Sequence, residues 1–303
     1  MTTPNRHAVL VGATASGKST LALELARRDP TWELVSVDSM QVYRRMDIGT
    51  AKPTAAEQAE VPHHLLDLLE PWEDGTVAWF QRAAQGVIAD IEARGRRALL
   101  VGGTGLYVQA VVDDLEIPGQ FADVRRILED DPDTGALHRQ LLELDPVAAG
   151  RMEPGNRRRI LRALEVTLGS GRTFSSFGPG IDAHPPSPFT MVGLRRDSAE
   201  LRARIVERYR QQMVDGFLKE VVALRADPRG VSRTAAQALG YKELGEHLDG
   251  SVSIEAALDL AVRRTGRFAR RQWAWFRRDP RITWLDVAVG GNPLVDDLAA
   301  VLG

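Results

Sequence analysis

The sequence contains no cysteine among its 303 residues, which excludes disulfide bonds and metal sites built on thiolates. It also lacks an uninterrupted apolar run of the roughly 18 to 20 residues that a membrane-spanning helix needs. The opening residues, MTTPNRH, contain no apolar core of the kind found in secretory signals. We therefore expect a cytoplasmic protein that has no membrane partner.

An excess of charge of either sign is also missing, since the formal net charge is −2. This excludes a uniformly basic nucleic-acid-binding protein, so any polyanion must be bound by local basic patches. Lysine is scarce: only Lys18, Lys52, Lys219 and Lys242 occur among 39 basic residues. Apolar residues make up 44% and charged residues 26%, as in a typical globular enzyme, which we expect to be monomeric.

Short apolar runs that alternate with helical segments predict an α/β fold. HAVLVG, ELVSVD and RRALLVGG have the pattern of buried strands, and FTMVGL and RITWLDV are further candidates. Helical segments such as TVAWFQRAAQGVIADIEARG lie between them. The alternation predicts a parallel sheet that is covered by helices on both faces.

The pattern changes between residues 113 and 188, where no run resembles a strand. GALHRQLLELDPVAAGRM and NRRRILRALEVTLGSG have helical periodicity, and FGPGIDAHPPSP has the composition of a loop. We predict a core domain formed by residues 1–112 and 189–303, with a helical insertion domain at 113–188.

A complete phosphate-binding motif follows the first predicted strand and opens a helix. It matches G-x-x-x-x-G-K-[ST] and consists of Gly12, Ala13, Thr14, Ala15, Ser16, Gly17, Lys18 and Ser19. Backbone N–H groups and Lys18 would face an anionic group, and the Ser19 hydroxyl is a candidate ligand of Mg²⁺. The motif predicts a P-loop NTPase-like core, but it does not identify the molecule that carries the phosphate.

Two further segments lie where predicted strands end. Asp38 follows the second strand and is a candidate metal ligand, general base or N-cap, and capping or turn formation is the commoner role of an isolated aspartate at a strand end. The third strand runs into VGGTGLY, in which Thr104 offers a hydroxyl among three glycines. Many NTPases have an aspartate at this point to organise Mg²⁺, and its absence weakens a kinase interpretation.

A pair of arginines would share one face of a later helix. Arg204 and Arg208 are four residues apart in AELRARIVERYRQQMVDGF. They are either solvated surface charges or ligands for a phosphate. The phosphate loop and this pair together keep a small-molecule kinase open as an alternative, and a nucleic-acid-binding protein with a nucleotide switch is a third hypothesis.

The ordered motifs GATASGKST, SVDSMQVYRRMDIGTAKP, VPHHLLDL, LLVGGTGLY, RRRILRALEV and QALGYKEL resemble those of the bacterial tRNA dimethylallyltransferases. The resemblance runs from about Val9 to Asp286. It implies transfer of a dimethylallyl group from dimethylallyl diphosphate to N6 of adenine 37, in the anticodon stem-loop of tRNA. Under this resemblance the phosphate loop and Mg²⁺ hold the departing diphosphate, and the fold is a P-loop core with a helical insertion.

The resemblance also implies roles for individual residues. Asp38 matches the family's general base, Thr104 matches a threonine that contacts the reacting groups, and Arg208 matches a ligand of the diphosphate. The implied tRNA contacts are Asp38, Ser39, Met40, Gln41, Thr104, Arg125, Arg157, Arg158, Arg159 and Arg162. Asn156-Arg157 departs from the usual Gln-Arg of the family, and the zinc finger of eukaryotic relatives is absent.

Three groups of residues leave alternatives open. Arginines and aromatic residues alternate in RRTGRFARRQWAWFRRDPR, where Trp273 and Trp275 either stack on bases or pack in the core. The insertion arginines either bind phosphates or solvate a helix. His63 and His64 point to opposite sides of an extended segment, so we expect packing or capping rather than metal ligation.

Overall fold

A computed structural model describes residues 7–288 and 295–303, so MTTPNRH apart from His7 lies outside the described residues. The chain divides into two compact units. The core unit consists of Met1–Asp113 and His184–Gly303, and the insertion unit consists of Asp114–Ala183. The boundaries predicted from the sequence, 113 and 188, lie close to this division.

The core unit contains a six-stranded parallel sheet, which confirms the predicted α/β fold. The strands are β1 (His7–Gly12), β2 (Trp32–Val37), β3 (His63–His64), β4 (Arg97–Gly102), β5 (Phe189–Arg195) and β6 (Thr283–Asp286). Their order across the sheet is β3-β2-β4-β1-β5-β6. Five of the strands coincide with the predicted apolar runs, and the two-residue edge strand β3 was not predicted.

The described helices surround the sheet in the core unit and form most of the insertion unit. They are α1 (Lys18–Arg28), α2 (Ala55–Glu60), α3 (Val77–Ala93), α4 (Gly105–Val112), α5 (Ala122–Asp130), α6 (Thr134–Leu144), α7 (Pro146–Gly150), α8 (Arg157–Ser170), α9 (Ser198–Asp215), α10 (Phe217–Arg225), α11 (Tyr241–Leu248), α12 (Ile254–Phe276) and α13 (Val295–Leu302). Short 3₁₀ turns occur at Phe174–Phe177 and Ala235–Gln237. No helix within the described residues is long and apolar enough to cross a membrane.

Both faces of the sheet are buried, which explains why its strands are continuous apolar runs. In β1, Val9 and Val11 belong to the larger hydrophobic cluster, which also includes residues of α3, α9 and α12. Ala8 and Leu10 point to the other face, into a cluster with residues of α1 and α13. Such two-sided burial is typical of parallel sheets and replaces the alternating pattern of a half-exposed strand.

The insertion unit has its own small core, formed by residues of α5, α6 and α8 together with Ala149. The long segment GALHRQLLELDPVAAGRM forms two helices, α6 and α7, because the chain breaks at Asp145 and Pro146. Asp145 accepts a hydrogen bond from Ala148 N at 3.0 Å and so caps α7. Proline fits the first position of that helix because its missing N–H would have no partner there.

Four strand ends meet at one edge of the sheet and bring the predicted site residues together. Gly102 of β4 pairs with both Val11 of β1 and Val37 of β2, so these strands end at the same level. Gly12 pairs with Leu194 of β5. Ligands of open α/β sheets bind at this edge, beyond the carboxyl ends of the strands.

Candidate active site

The phosphate loop, defined as residues 12–19, turns sharply from β1 into α1. Gly17 is the N-cap of α1 with φ of 98°, a left-handed conformation that glycine adopts without strain. Ala15 also has a positive φ, 63°, which is uncommon for a residue with a side chain. Lys18 Nζ donates a hydrogen bond of 2.8 Å to Ala13 O, so the ammonium lies against its own loop.

Helix α9 brings both predicted arginines to this loop. Arg204 Nε donates to Ala15 O, and Arg208 Nη1 donates to Thr14 Oγ1, each at 2.8 Å. Within the part of the chain that the structure describes, Arg208 Nε is buried and has no hydrogen-bond partner. Burial lowers the pKa of Arg208, although arginine remains charged. At the start of α9, Asp197 caps the helix and Glu200 pairs with Arg196.

Asp38 lies after β2 and is half-buried as a residue. Its Oδ1 accepts a hydrogen bond of 2.8 Å from Met40 N, which forms a tight local turn. Burial raises the pKa of Asp38, and the N–H groups of Met40 and Gln41 and the charges of Lys18 and Arg208 oppose this increase. A carboxylate whose pKa is raised accepts a proton more readily than an exposed aspartate does.

Lys18 and Asp38 interact through space rather than through a direct ion pair. Burial lowers the pKa of Lys18, the negative charge of Asp38 opposes this decrease, and the positive charge of Arg208 adds to it, so that the pKa is about 8. Two cations and one anion therefore share this pocket-like edge of the sheet, and the excess positive charge favours an anionic ligand.

Glycine residues bring the turn after β4 close to its neighbours. A Cβ atom on Gly102 would lie 2.2 Å from Val37 O, so a larger residue would separate β4 from β2. Thr104 is the first residue before α4, and its Oγ1 accepts a hydrogen bond of 3.4 Å from Ser39 N. The two predicted catalytic residues, Asp38 and Thr104, thus lie on adjoining segments.

The segment Ser39–Gln41 is half-buried and is held mainly by the side chain of Gln41. Gln41 Oε1 accepts a hydrogen bond of 2.7 Å from Ser36 Oγ, and Nε2 donates to Thr50 O and Ala51 O at 3.1 Å. The predicted contact of this segment with tRNA stays a prediction. Its conformation depends on the loop that follows it.

Residues 46–52, here called the support loop, are held by two side chains that sequence reasoning missed. Glu220 of α10 accepts hydrogen bonds from the N–H groups of three consecutive residues, 47, 48 and 49, at 2.8 to 3.1 Å. Its Oε1 also accepts from Tyr241 Oη at 2.5 Å. The Lys52 side chain is only 3% exposed and pairs with Asp47 and Asp67. Lysine is scarce among the basic residues of this sequence, and this scarcity was the only feature that singled out Lys52.

Replacing Glu220 with glutamine should destabilise the protein. The amide nitrogen cannot accept hydrogen bonds, so either the backbone N–H groups or the Tyr241 hydroxyl lose acceptors in a half-buried site. We expect the free energy of unfolding to fall by about 1–3 kcal/mol, measured by urea denaturation. The matched control is Glu207→Gln, whose side chain is 70% exposed on α9. Equal unfolding free energies for the two variants would contradict this role of Glu220.

Gln272 of α12 is a further residue that the sequence did not single out. Its side chain is buried, its Oε1 accepts a hydrogen bond of 2.8 Å from Thr14 N, and its Nε2 donates to Gly103 O at 2.9 Å. The residue thus connects the phosphate loop to the turn before α4. No local pattern reveals such a contact, because Gln272 and Thr14 are 258 positions apart.

The predicted arginines of the insertion unit fall into two classes. Arg125 pairs with Glu129 and Glu165, Arg162 pairs with Glu165, and Arg157 donates to backbone carbonyls of 129 and 131. These three side chains therefore stabilise the unit itself. Arg158 and Arg159 are exposed and have no ion pair or hydrogen bond from their side chains to the described residues. They are the arginines of this set best able to contact a polyanion.

The two tryptophans with open roles are half-buried in α12. Trp275 packs against the larger hydrophobic cluster and lies close to Gly105, where an added Cβ atom would approach within 2.5 Å of its ring. Trp273 contacts Trp284 edge to face, with ring centroids 4.8 Å apart. One part of each indole ring is therefore buried by packing within the protein.

The adjacent histidines make separate contacts. His63 Nδ1 is 2.7 Å from Val61 O, and His64 Nε2 is 2.7 Å from Glu33 Oε2. Among the described residues, no group of three or more histidine, aspartate or glutamate side chains is arranged to hold a metal ion. The expectation of packing or capping rather than metal ligation stays a prediction.

The sequence is similar to those of known proteins over most of its length. Residues 41–279 match the family model described as IPP transferase. A "tRNA dimethylallyltransferase" from Nocardioides sp. is 46% identical over 93% of this chain and 92% of its own length. Another with the same name from Bifidobacterium longum is 45% identical over 97% of this chain and 89% of its own.

Solved structures show the same fold. The tRNA isopentenylpyrophosphate transferase from Bacillus halodurans superimposes with a TM-score of 0.70 at 38% identity, over 98% of this chain and 97% of its own. A eukaryotic dimethylallyltransferase acting on tRNA gives a TM-score of 0.76 over 93% of this chain and 74% of its own. At 24% identity, the second likeness concerns the fold alone.

Proposed function

The chain belongs to the IPP transferase family, and from this premise we propose that it transfers a prenyl group to tRNA. More specifically, a dimethylallyl group passes from dimethylallyl diphosphate to N6 of adenine 37. Asp38 acts as the general base, and the phosphate loop holds the departing diphosphate. The names of the relatives support the prenyl transfer, and the geometry of the site supports the assignment of its parts.

The observation that carries this proposal is the set of unused polar groups at the phosphate loop. Ser16 Oγ and Arg208 Nε are buried without partners among the described residues, and Lys18 and Arg208 add positive charge. Buried polar groups cost free energy unless they are paired, so such atoms indicate a ligand that pairs with them. A diphosphate supplies both the negative charge and the acceptor oxygens.

The chemistry needs stabilisation at two points. As the allylic C–O bond breaks, its electron pair moves to the diphosphate oxygen, where Lys18, Arg208 and the loop amides oppose the growing charge. The lone pair of N6 forms the new C–N bond, and the amine then carries a proton that must leave. Asp38 accepts that proton, so adenine leaves as a neutral substituted base. Water must be excluded, since it would also capture the allylic carbon.

Mg²⁺ fits the donor set at the start of α1. The Ser19 side chain is exposed there and makes no hydrogen bond to the described residues, so its hydroxyl is free to bind a hard cation. Mg²⁺ usually takes only one or two protein ligands and completes its shell with phosphate oxygens and water. When bound, the ion would neutralise charge on the departing diphosphate. Ser19 would hold it, while Lys18 and Arg208 act directly on the diphosphate.

The acceptor base must reach Asp38, which requires it to leave the stack of the anticodon loop. Single-stranded loops allow this movement at a modest cost in unstacking free energy. Ser39, Met40, Gln41 and Thr104 adjoin Asp38 and are the proposed contacts of the target nucleotide. Arg158 and Arg159 are the proposed phosphate contacts of the insertion unit, together with the more constrained Arg125, Arg157 and Arg162.

Binding of tRNA should weaken with salt, and Arg158→Ala should reduce this dependence. Loss of one phosphate contact is expected to reduce the slope of log affinity against log salt by about 1. Filter binding across a series of salt concentrations measures the slope. Arg126→Ala is the matched control, because Arg126 is also exposed in this unit but pairs with Asp123. An identical slope for Arg158→Ala and the wild type would show that Arg158 does not contact phosphate.

One incubation tests the proposed function directly. Purified protein is mixed with dimethylallyl diphosphate, Mg²⁺ and unmodified tRNA, and the tRNA is then digested to nucleosides. Prenylated adenosine supports the proposal, and sequencing of the product locates the modified base. Phosphorylation of a small molecule at the expense of ATP, without prenylated adenosine, would overturn it in favour of a kinase.

A further inference from the structure

The side chain of Gln272 connects the two parts of the site that must hold the two reactants. The phosphate loop is the proposed position of the diphosphate, and the turn at Gly103 carries Thr104 beside Asp38. Gln272 Oε1 accepts a hydrogen bond from Thr14 N, and Gln272 Nε2 donates one to the carbonyl oxygen of Gly103. Only one orientation of the amide satisfies both bonds, since the N–H needs an acceptor and the carbonyl needs a donor.

Helix α12 is anchored on either side of Gln272 by residues that lie on the same face of the helix. Seven residues earlier, the buried Thr265 hydroxyl lies 2.9 Å from Tyr209 Oη of α9. Three residues later, Trp275 packs close to Gly105. Residues separated by seven and three positions lie on the same side of a helix. The helix is thus attached both to α9, which carries Arg208, and to the start of α4.

The fit around the amide leaves little space for movement. A Cβ atom on Gly103 would lie 2.3 Å from Gln272 Nε2, so the glycine allows the side chain to reach the carbonyl. The Thr14 N–H is engaged by Gln272, while its hydroxyl accepts from Arg208. Thr14 therefore joins the amide of α12 to the guanidinium of α9 within the phosphate loop.

We propose that Gln272 is a positioning residue that sets the distance between the donor carbon and the acceptor amine. This inference rests on the proposed prenyl transfer, because it requires a leaving group at the phosphate loop and a nucleophile beside Asp38 and Thr104. Reacting atoms must approach to about 3–3.5 Å, and a misplacement of about 1 Å can lower a rate about 100-fold. Gln272 acts through Thr14 and Gly103, the two residues to which its amide is hydrogen-bonded.

Two variants separate positioning from donor binding. Gln272→Met keeps the length of the side chain but forms neither hydrogen bond, so the single-turnover rate should fall about 10- to 100-fold. The Kd of dimethylallyl diphosphate should change less than about 3-fold, because Lys18 and Arg208 remain. Gln272→Glu still accepts from Thr14 N but adds negative charge beside the loop, so it should raise this Kd as well.

The products give a readout that a merely structural role would not change. When the acceptor amine lies too far away, water competes for the allylic carbon: its oxygen bonds to carbon, the C–O bond breaks, diphosphate leaves, and a proton passes to solvent. We expect Gln272→Met to release a larger fraction of the consumed donor as dimethylallyl alcohol. Chromatography of the alcohol and of the prenylated tRNA measures this fraction.

The control is Gln81→Met, which removes another buried amide, on α3. Thermal unfolding of each variant identifies any loss of rate that comes from unfolding. A Gln272→Met variant with the wild-type rate and product ratio would overturn the proposal, as would an equal loss in Gln81→Met. Absence of prenylated tRNA with the wild-type protein would instead overturn the proposed function, so the two failures are distinguishable.

Discussion

Replacing Asp38 with asparagine should lower the rate of prenyl transfer by about 10²- to 10⁴-fold, the range typical for loss of a general base. The asparagine oxygen still accepts the hydrogen bond from Met40 N, so the local turn remains. The amide cannot accept the proton that N6 releases. Binding of dimethylallyl diphosphate and of tRNA should therefore be retained while turnover is lost.

Single-turnover rates and equilibrium binding of both substrates test this expectation together. Asp259→Asn provides the control, because Asp259 is an exposed aspartate of α12. Stability should not explain a loss of rate: burial raises the pKa of Asp38, so its ionised form costs the folded protein free energy near pH 7. The asparagine variant avoids this cost. Undiminished turnover in Asp38→Asn would contradict the assignment of the base.

The same shift predicts how the rate depends on pH. Only the ionised carboxylate accepts a proton, and the pKa of Asp38 is raised above its ordinary value. The rate of transfer should therefore fall as the pH drops through that raised pKa, at a higher pH than an exposed aspartate would give. A variant without the carboxylate should lack this acid-side decrease.

The fold was predictable because strands that are buried on both faces of a sheet consist of continuous apolar residues, a pattern that is visible in the sequence. HAVLVG and RRALLVGG are continuous apolar runs, and each coincides with a central strand. The edge strand β3 has only two residues, both histidines, and too little burial to produce such a run. The break between α6 and α7 could not be predicted without knowing that the side chain of Asp145 caps α7.

The candidate site was predictable only where its residues lie in compact motifs. The phosphate loop, Asp38 and Thr104 follow strand ends, and parallel strands bring their ends together. Gln272 and Glu220 reach backbone groups far away in the chain, and neither has a local pattern. A glutamate on an amphipathic helix usually indicates a solvated surface, so its buried hydrogen bonds were unforeseeable.

Replacing Lys18 with alanine should weaken binding of dimethylallyl diphosphate by about 10- to 100-fold, since a hydrogen bond to a charged group contributes about 1.5–3 kcal/mol. The ammonium is the flexible cation of the phosphate loop, and in the structure it lies on Ala13 O, ready to move to a phosphate oxygen. Lys219→Ala is the matched control, because that lysine is exposed on α10. Equal affinities in both variants would exclude Lys18 from the diphosphate site.

The pH dependence of this binding separates the charge of Lys18 from its shape. Burial lowers the pKa of Lys18 to about 8, so the free protein loses this positive charge as the pH rises through that value. Calorimetry of dimethylallyl diphosphate binding in EDTA, which removes any metal contribution, should show affinity decreasing above pH 8. Lys18→Ala should lack this decrease, because it has no ammonium to titrate. Asp38→Asn should shift the decrease to lower pH, since the charge of Asp38 raises the pKa of Lys18. A decrease that persists unchanged in Lys18→Ala must come from another group, and the ammonium would then have no electrostatic part in holding the donor.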